Sequence, residues 1–309
     1  LVGLLMLGGV SAASAQSDLR RQFEDKVTTF TLDNGLDFVI VERHDAPVVS
    51  FTTYADVGSV NEPEGQTGIA HMFEHMAFKG TTTIGTKNIE KEMAALQRQE
   101  EAYLKLRRER AEPRPDSARV AELERQFQQA QEKAESYMRG GEFENILQKN
   151  GVEGLNAYTS ADATVYQYSL PANKTELFFA LESDRFVNPV LREFYTERDV
   201  VMEERRQRVG SSPNGRLVEA YVTSAFKAHP YGTPIIGHMS DLQKLSRTDA
   251  QEFFDTYYNA RNLTVGIAGD VEPNRMRALA QKYFSRLPEG REPPPVRTEA
   301  PKQFGERRV

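Results

Sequence analysis

The 309-residue sequence contains no cysteine, no tryptophan and only five histidines. Without cysteine there can be no disulfide, no thiolate metal ligand and no cysteine nucleophile, and redox chemistry leaves the compartment undecided. Long hydrophobic runs are also lacking. The apolar stretch at residues 1–10 is too short to span a bilayer. Positive charge is not in excess: 39 Lys and Arg stand against 45 Asp and Glu, a formal net charge of -6, which gives no basis for a nucleic-acid surface. Gly140 and Gly141 are followed by no Lys-Ser/Thr pair, so they do not form a phosphate loop.

A hydrophobic content of 39% supports a globular protein with one large core or two modest ones. Residues 1–10 followed by Ala13-Ser14-Ala15 have the pattern of the apolar region and cleavage site of a secretory signal peptide, expected over 1–15. No basic segment or initiator Met precedes it, so the natural start is expected upstream. No cysteine follows the cleavage site, so lipid anchoring by that route is closed. The expectation is an exported protein without a stable membrane span.

Behind this segment strands and helices alternate. Residues 27–32 and 36–42, joined by Asp33-Asn34-Gly35, predict a hairpin with a primed turn, and 48–57 a further strand. Residues 164–170 alternate as a strand, 174–188 and 194–209 are predicted helices, and Ser246 or Thr248 can cap a helix through Tyr257. A buried strand over 263–268 precedes a helix at 273–284. Sheet strands separated by long helices indicate an α+β fold, a two-layer α/β sandwich of mixed sheet packed against helices. Two charged helical stretches, 90–112 and 116–137, broken at Pro113-Arg114-Pro115, read as a helical-hairpin insertion at about 92–144, packed against its own domain, with a coiled-coil partner interface as the alternative. Pro293-Pro294-Pro295 marks a stiff linker.

The chemistry is concentrated at His71-Met72-Phe73-Glu74-His75. On a helix, positions 71 and 75 lie one turn apart and 74 shares their side, so two imidazoles can meet one zinc ion while Glu74 holds the attacking water. The plainer alternative is two histidines on a polar face, but apolar neighbours Met72, Phe73, Met76, Ala77 and Phe78 argue for enclosure. A third ligand is expected from the helix around residues 197–206. There Glu197 and Glu204 share a face with Val200 and Val201, while Glu203 points about 100 degrees away. The alternative is a charged helix paired through Arg205, Arg206 and Arg208. His44, His229 and His238 have no ligand partner at helical spacing.

With these residues in place, the chain resembles the pitrilysin-type (M16) inverted-zincin metallopeptidases. The likeness rests on His71, Phe73-Glu74-His75 and Ala77-Phe78-Lys79-Gly80-Thr81, on Asn156-Ala157-Tyr158-Thr159, on Pro230-Tyr231-Gly232, and on the stretches 257–263 and 266–271. It implies zinc bound by His71, His75 and Glu204, with Glu74 as general base and Glu197 as a supporting acid. It also implies a substrate peptide laid along an edge strand at Asn156, Ala157, Tyr158 and Thr159. The fold expected is the zinc-bearing metallopeptidase domain over 26–290, with residues 291–309 as linker and start of a second domain. A second homologous domain or subunit is the expected partner, and the bacterial periplasm or exterior the expected location. A noncatalytic or zinc-binding structural subunit of a two-chain assembly is the alternative, and intact Glu74 argues against it.

Overall fold

The computed structural model describes residue 24 and residues 26–308; the expected signal segment lies outside them. Among the described residues six strands form one sheet: β1 (Val27–Thr31), β2 (Asp37–Glu42), β3 (Val48–Ala55), β4 (Glu153–Thr159), β5 (Thr164–Pro171) and β6 (Leu263–Gly269). Their spatial order is β1-β2-β6-β3-β5-β4, with β2 and β6 parallel and every other pair antiparallel. The helices are α1 (Ile69–Met76), α2 (Ile89–Ala111), α3 (Ser117–Glu135), α4 (Glu142–Lys149), α5 (Thr175–Val187), α6 (Phe194–Arg205), α7 (Pro213–Ala225), α8 (Met239–Leu242), α9 (Arg247–Tyr257) and α10 (Pro273–Phe284).

One face of the sheet is dry. Along β3, Val49, Phe51, Thr53 and Ala55 are buried while Val48, Ser50 and Tyr54 are exposed, the period-two pattern of a sheet covered on one side. Phe51 stacks on Phe178 of α5 with ring centroids 4.0 Å apart, and Phe38 meets Phe284 of α10 edge-on at 5.7 Å. The sandwich is therefore two layers deep, as its alternation predicted.

The first hairpin differs from expectation in its turn. A primed turn requires positive φ before the last loop residue, whereas here Gly35 alone is left-handed, at φ 90. The loop is a three-residue type with a glycine bulge. Asn34 instead directs its amide to the carbonyls of Phe284 and Leu287, both at 2.9 Å, tying the hairpin to the end of α10. The helix expected over 194–209 is α-helical only to Arg205, then widens into a π turn over Arg206–Gly210. Beyond Leu287, residues 288–308 carry no helix or strand.

The helical hairpin α2–α3 turns several of its polar groups inward. Glu92 is fully buried and accepts from Arg192 Nε at 2.6 Å; the same guanidinium donates to the carbonyls of Thr81, Lys79 and Ile84 at 2.8, 3.0 and 3.0 Å. Glu100 accepts from the Tyr195 and Thr248 hydroxyls, each at 2.6 Å, and Tyr103 accepts from Arg198 at 2.6 Å. These bonds brace α6 and the loop after α1 against the hairpin. Because removing one member of a buried ion pair strands the other, Arg192→Met should cost about 3 to 5 kcal/mol in urea unfolding. A loss below about 1 kcal/mol would show that the brace is dispensable.

Candidate functional site

Helix α1 is short, and its placement depends on its surroundings. Ile69, Ala70 and Met72 are fully buried, and Phe73 packs among Phe253, Phe254 and Tyr258. At its entry the Glu62 carboxylate accepts from the backbone N–H groups of Gly68 and Ala70 at 2.9 and 3.0 Å, filling the donor positions a helix start leaves open. With its apolar sides committed, the helix presents His71, Glu74 and His75 toward α6.

Helix α6 supplies the answering carboxylates. Glu204 Oε2 lies 3.4 Å from His75 Nε2 and 3.8 Å from His71 Nε2, and ligand atoms of His71, His75 and Glu204 all fall within 4.8 Å of one another. Ligands about 2.0–2.1 Å from a tetrahedral ion sit about 3.3 Å apart, so this spacing fits a zinc-sized cation. The donor set fits as well. Glu204 Oε2 is buried with no hydrogen-bond partner, an expensive state for a carboxylate oxygen unless a cation meets it. The glutamates do share a face with Val201, which is fully buried, but Val200 is 47% exposed. Offset by three rather than four residues from Glu197, Val200 falls on the outer flank of the helix. Glu203 is exposed and bonds only Arg206 and Gln207.

Electrostatics distinguish the two imidazoles. Burial, helped by His75 and Arg208, pushes His71 down to about 4, so its ring is neutral at ordinary pH. His75 is raised above 6.5, first by its hydrogen bond to Glu197, Nδ1 to Oε2 at 3.4 Å. That bond fixes the tautomer that turns the Nε2 lone pair toward Glu204. Burial pushes Glu197 up, but bonds from His75 and Lys79 outweigh it and hold the carboxyl below its ordinary range. Lys79 Nζ reaches Glu197 at 2.6 Å and Glu193 at 3.1 Å. Glu193 is the only non-glycine at positive φ among the described residues, a strained backbone that caps α6 and keeps its carboxylate on Lys79.

Glu74 is not part of the three-ligand cluster. Its Oε2 accepts from the Thr159 hydroxyl at 2.9 Å, and burial raises its pKa, partly offset by that bond. Thr159 ends β4, which pairs with β5 alone and is the edge of the sheet. Asn156 and Tyr158 on this edge are exposed, while Ala157 and Thr159 are half-buried. An open trough of about 780 Å³ runs past His71, Glu74 and residues 156–159, walled opposite by Val218 and Val222 of α7 and by Ile235 and Ile236. All nine residues predicted for the site thus lie in one neighbourhood. His44 is elsewhere, held by Glu42 and Asp270, and His229 caps the turn at Tyr231. Sequence reasoning missed Glu62 and Glu193, which carry no periodic signal, and treated Lys79 only as part of a familiar stretch.

A mixed sheet with helices on one face and a His-x-x-Glu-His helix opposed by a glutamate defines a zinc-protease fold with a candidate two-histidine, one-glutamate metal site. The chain belongs to the insulinase family, peptidase family M16, whose model matches residues 38–109 and 130–238. The unmatched stretch, 110–129, is the outer end of the α2–α3 hairpin. A second model, the peptidase M16 inactive domain, matches 244–309. The chain is 30% identical to the zinc protease PqqE of Helicobacter pylori over 98% of its own length and 57% of that protein's. It superposes on the crystal structure of a protease from Helicobacter pylori with a TM-score of 0.70 at 28% identity, covering 91% of this chain and 55% of that one. The periplasmic protease PqqL from Escherichia coli shares the fold, with a TM-score of 0.65 at 22% identity over 89% of this chain and 26% of that one. The chain spans about half the length of the curated relatives it matches. No helix among the described residues is long and apolar enough to cross a membrane.

A metal must displace the proton of His75, whose pKa is raised above its ordinary 6.5, so zinc affinity should fall as pH is lowered through that raised value. In Glu197→Gln the carboxylate charge that raises His75 is gone, and the onset of that loss should move to lower pH. Zinc titrations against a competing chelator at several pH values test this; an onset unmoved in Glu197→Gln would remove Glu197 from the account.

Proposed function

We propose that this chain is the metal-bearing part of a zinc metalloendopeptidase that hydrolyses peptide bonds of peptides or unfolded proteins. The observation that carries the reading is the convergence of His71, His75 and Glu204 beside Glu74, at the end of an unpaired sheet edge. His71, His75 and Glu204 would hold the ion; when bound, zinc would acidify a water molecule and polarise the scissile carbonyl.

The remaining work falls to the chain's own side chains. Glu74, whose pKa burial raises, takes the proton of the attacking water and passes it to the leaving nitrogen. Glu197 holds His75 in its binding tautomer and is itself held by Lys79. Residues 156–159 accept the peptide as an added strand, reading main chain and leaving selectivity to side pockets such as the apolar wall of Val218, Val222 and Ile236. Glu74 separates this reading from a purely structural subunit, because a metal-storage or scaffold site needs no base bonded to the substrate edge.

The domain assignment follows the same logic: a metallopeptidase domain over 26–290 carrying the hairpin insertion, then a linker. A second homologous domain or subunit is proposed to cover the trough, since an open trough leaves the tetrahedral oxyanion in water, where stabilisation is weak. The start of the sequence and the likeness to bacterial proteases favour a periplasmic or secreted setting.

Glu74→Gln should keep its zinc while turnover drops by about 10²- to 10⁴-fold, whereas Glu204→Ala should lose the metal. A Glu204→Ala protein fully loaded with zinc would remove Glu204 from the ligand set. A peptide soaked into Glu74→Gln should show main-chain hydrogen bonds to 156–159, and its binding far from β4 would defeat the substrate assignment.

A further inference from the structure

Resting on the zinc reading above, we propose that Arg208 is a positioning residue of the metal site that restricts Glu204 to presenting a single oxygen. Its Nη1 lies 2.8 Å from Glu204 Oε1, while Oε2 of the same carboxylate is buried with no hydrogen-bond partner among the described residues. The two oxygens therefore have separate occupations. One is engaged by a guanidinium and the other is left bare, 3.4 Å from His75 Nε2. Without the guanidinium, both oxygens are free to turn toward one cation, and a carboxylate with two equivalent oxygens can bind an ion through both.

An exposed ion pair four residues apart on a helix normally contributes little, because water competes for both partners. This pair differs on the acceptor side. The Glu204 side chain is 18% exposed against 71% for Arg208, so the acceptor is held largely out of water while the arginine approaches from solvent. The backbone from which Arg208 reaches is also fixed. It lies in the π turn Arg206–Gly210, closed by Ser211 N–H to the Arg206 carbonyl at 2.7 Å. π turns of this kind recur at functional sites. Helix α7 then packs directly on that turn: a Cβ at Gly215 would stand 2.0 Å from the Arg208 carbonyl oxygen, so the approach requires glycine. Among the described residues Arg208 is also the only lysine or arginine lining the trough.

The test uses the full chain and two readouts that do not depend on peptide cleavage. Arg208→Ala should weaken zinc binding by about 10- to 100-fold in competition with a chromophoric chelator, the loss typical when a ligand's supporting partner is removed. In the cobalt(II)-substituted protein the same change should dim the visible absorption bands, as a fourfold site gains a fifth donor from the released oxygen. Arg208→Lys, which keeps a charged donor, should recover most of both losses. Zinc affinity within about twofold of the unaltered chain and an unchanged cobalt spectrum in Arg208→Ala would overturn the proposal. If the unaltered chain bound no zinc, or if Glu204→Ala bound it equally well, the zinc reading itself would fail; normal ligand-variant losses with a silent Arg208→Ala would sink only the role of Arg208.

Discussion

The structure of the site follows from one constraint: a carboxylate oxygen, Glu204 Oε2, is buried without a hydrogen bond and within reach of two imidazole nitrogens. Left alone it would be an electrostatic liability. Everything near it sharpens that condition instead of relieving it. Burial keeps His71 neutral, Glu197 orients His75, and Lys79 holds Glu197, itself steadied by a Glu193 that accepts backbone strain to stay in place. The chain of contacts runs from the loop after α1 to the first turn of α6 and back. Two helices that share no sequence neighbourhood are thereby set in one geometry.

That geometry is buttressed from outside by the α2–α3 hairpin. A charged helical hairpin ordinarily holds little, but here Glu92 and Glu100 point into the domain and bind residues adjoining the site: Arg192 just before α6 and Tyr195 in its first turn, and through Arg192 the carbonyls of Lys79, Thr81 and Ile84. The loop that carries Lys79 is thus pinned by a charge donated from about one hundred residues away. The family match skips only the outer end of this hairpin, whereas the inner turns that make these bonds lie within it.

Much of this was legible in the sequence. His71, Glu74 and His75 declare themselves by helical spacing, and Glu197 and Glu204 by their seven-residue interval on a helix with a buried Val201. The element boundaries at 273–284 and the Ser246 cap followed from proline and serine placed where helix starts require them. What stayed hidden was long-range or local in ways that periodicity cannot register. Asn34 was recruited by carbonyls at the end of α10, so its loop took another turn type. Val200 faces outward because a shared stripe is wider than a shared face. The π turn after Arg205 left no trace in the residue pattern, and Glu62 is separated from the backbone groups it binds by a loop with no regular form.

The edge strand β4 has a consequence of a different kind. An unpaired strand edge accepts any extended chain, including another copy of itself, and is a standing template for aggregation. In this protein the first part of the strand is irregular: the register slips between Glu153 and Asn156, Gly154 sits at positive φ, and Glu153 projects a charge into solvent. Only the last few residues, next to Thr159 and Glu74, keep a regular edge. The length of clean edge is therefore only a few residues, shorter than the roughly six- or seven-residue segments that build fibrils.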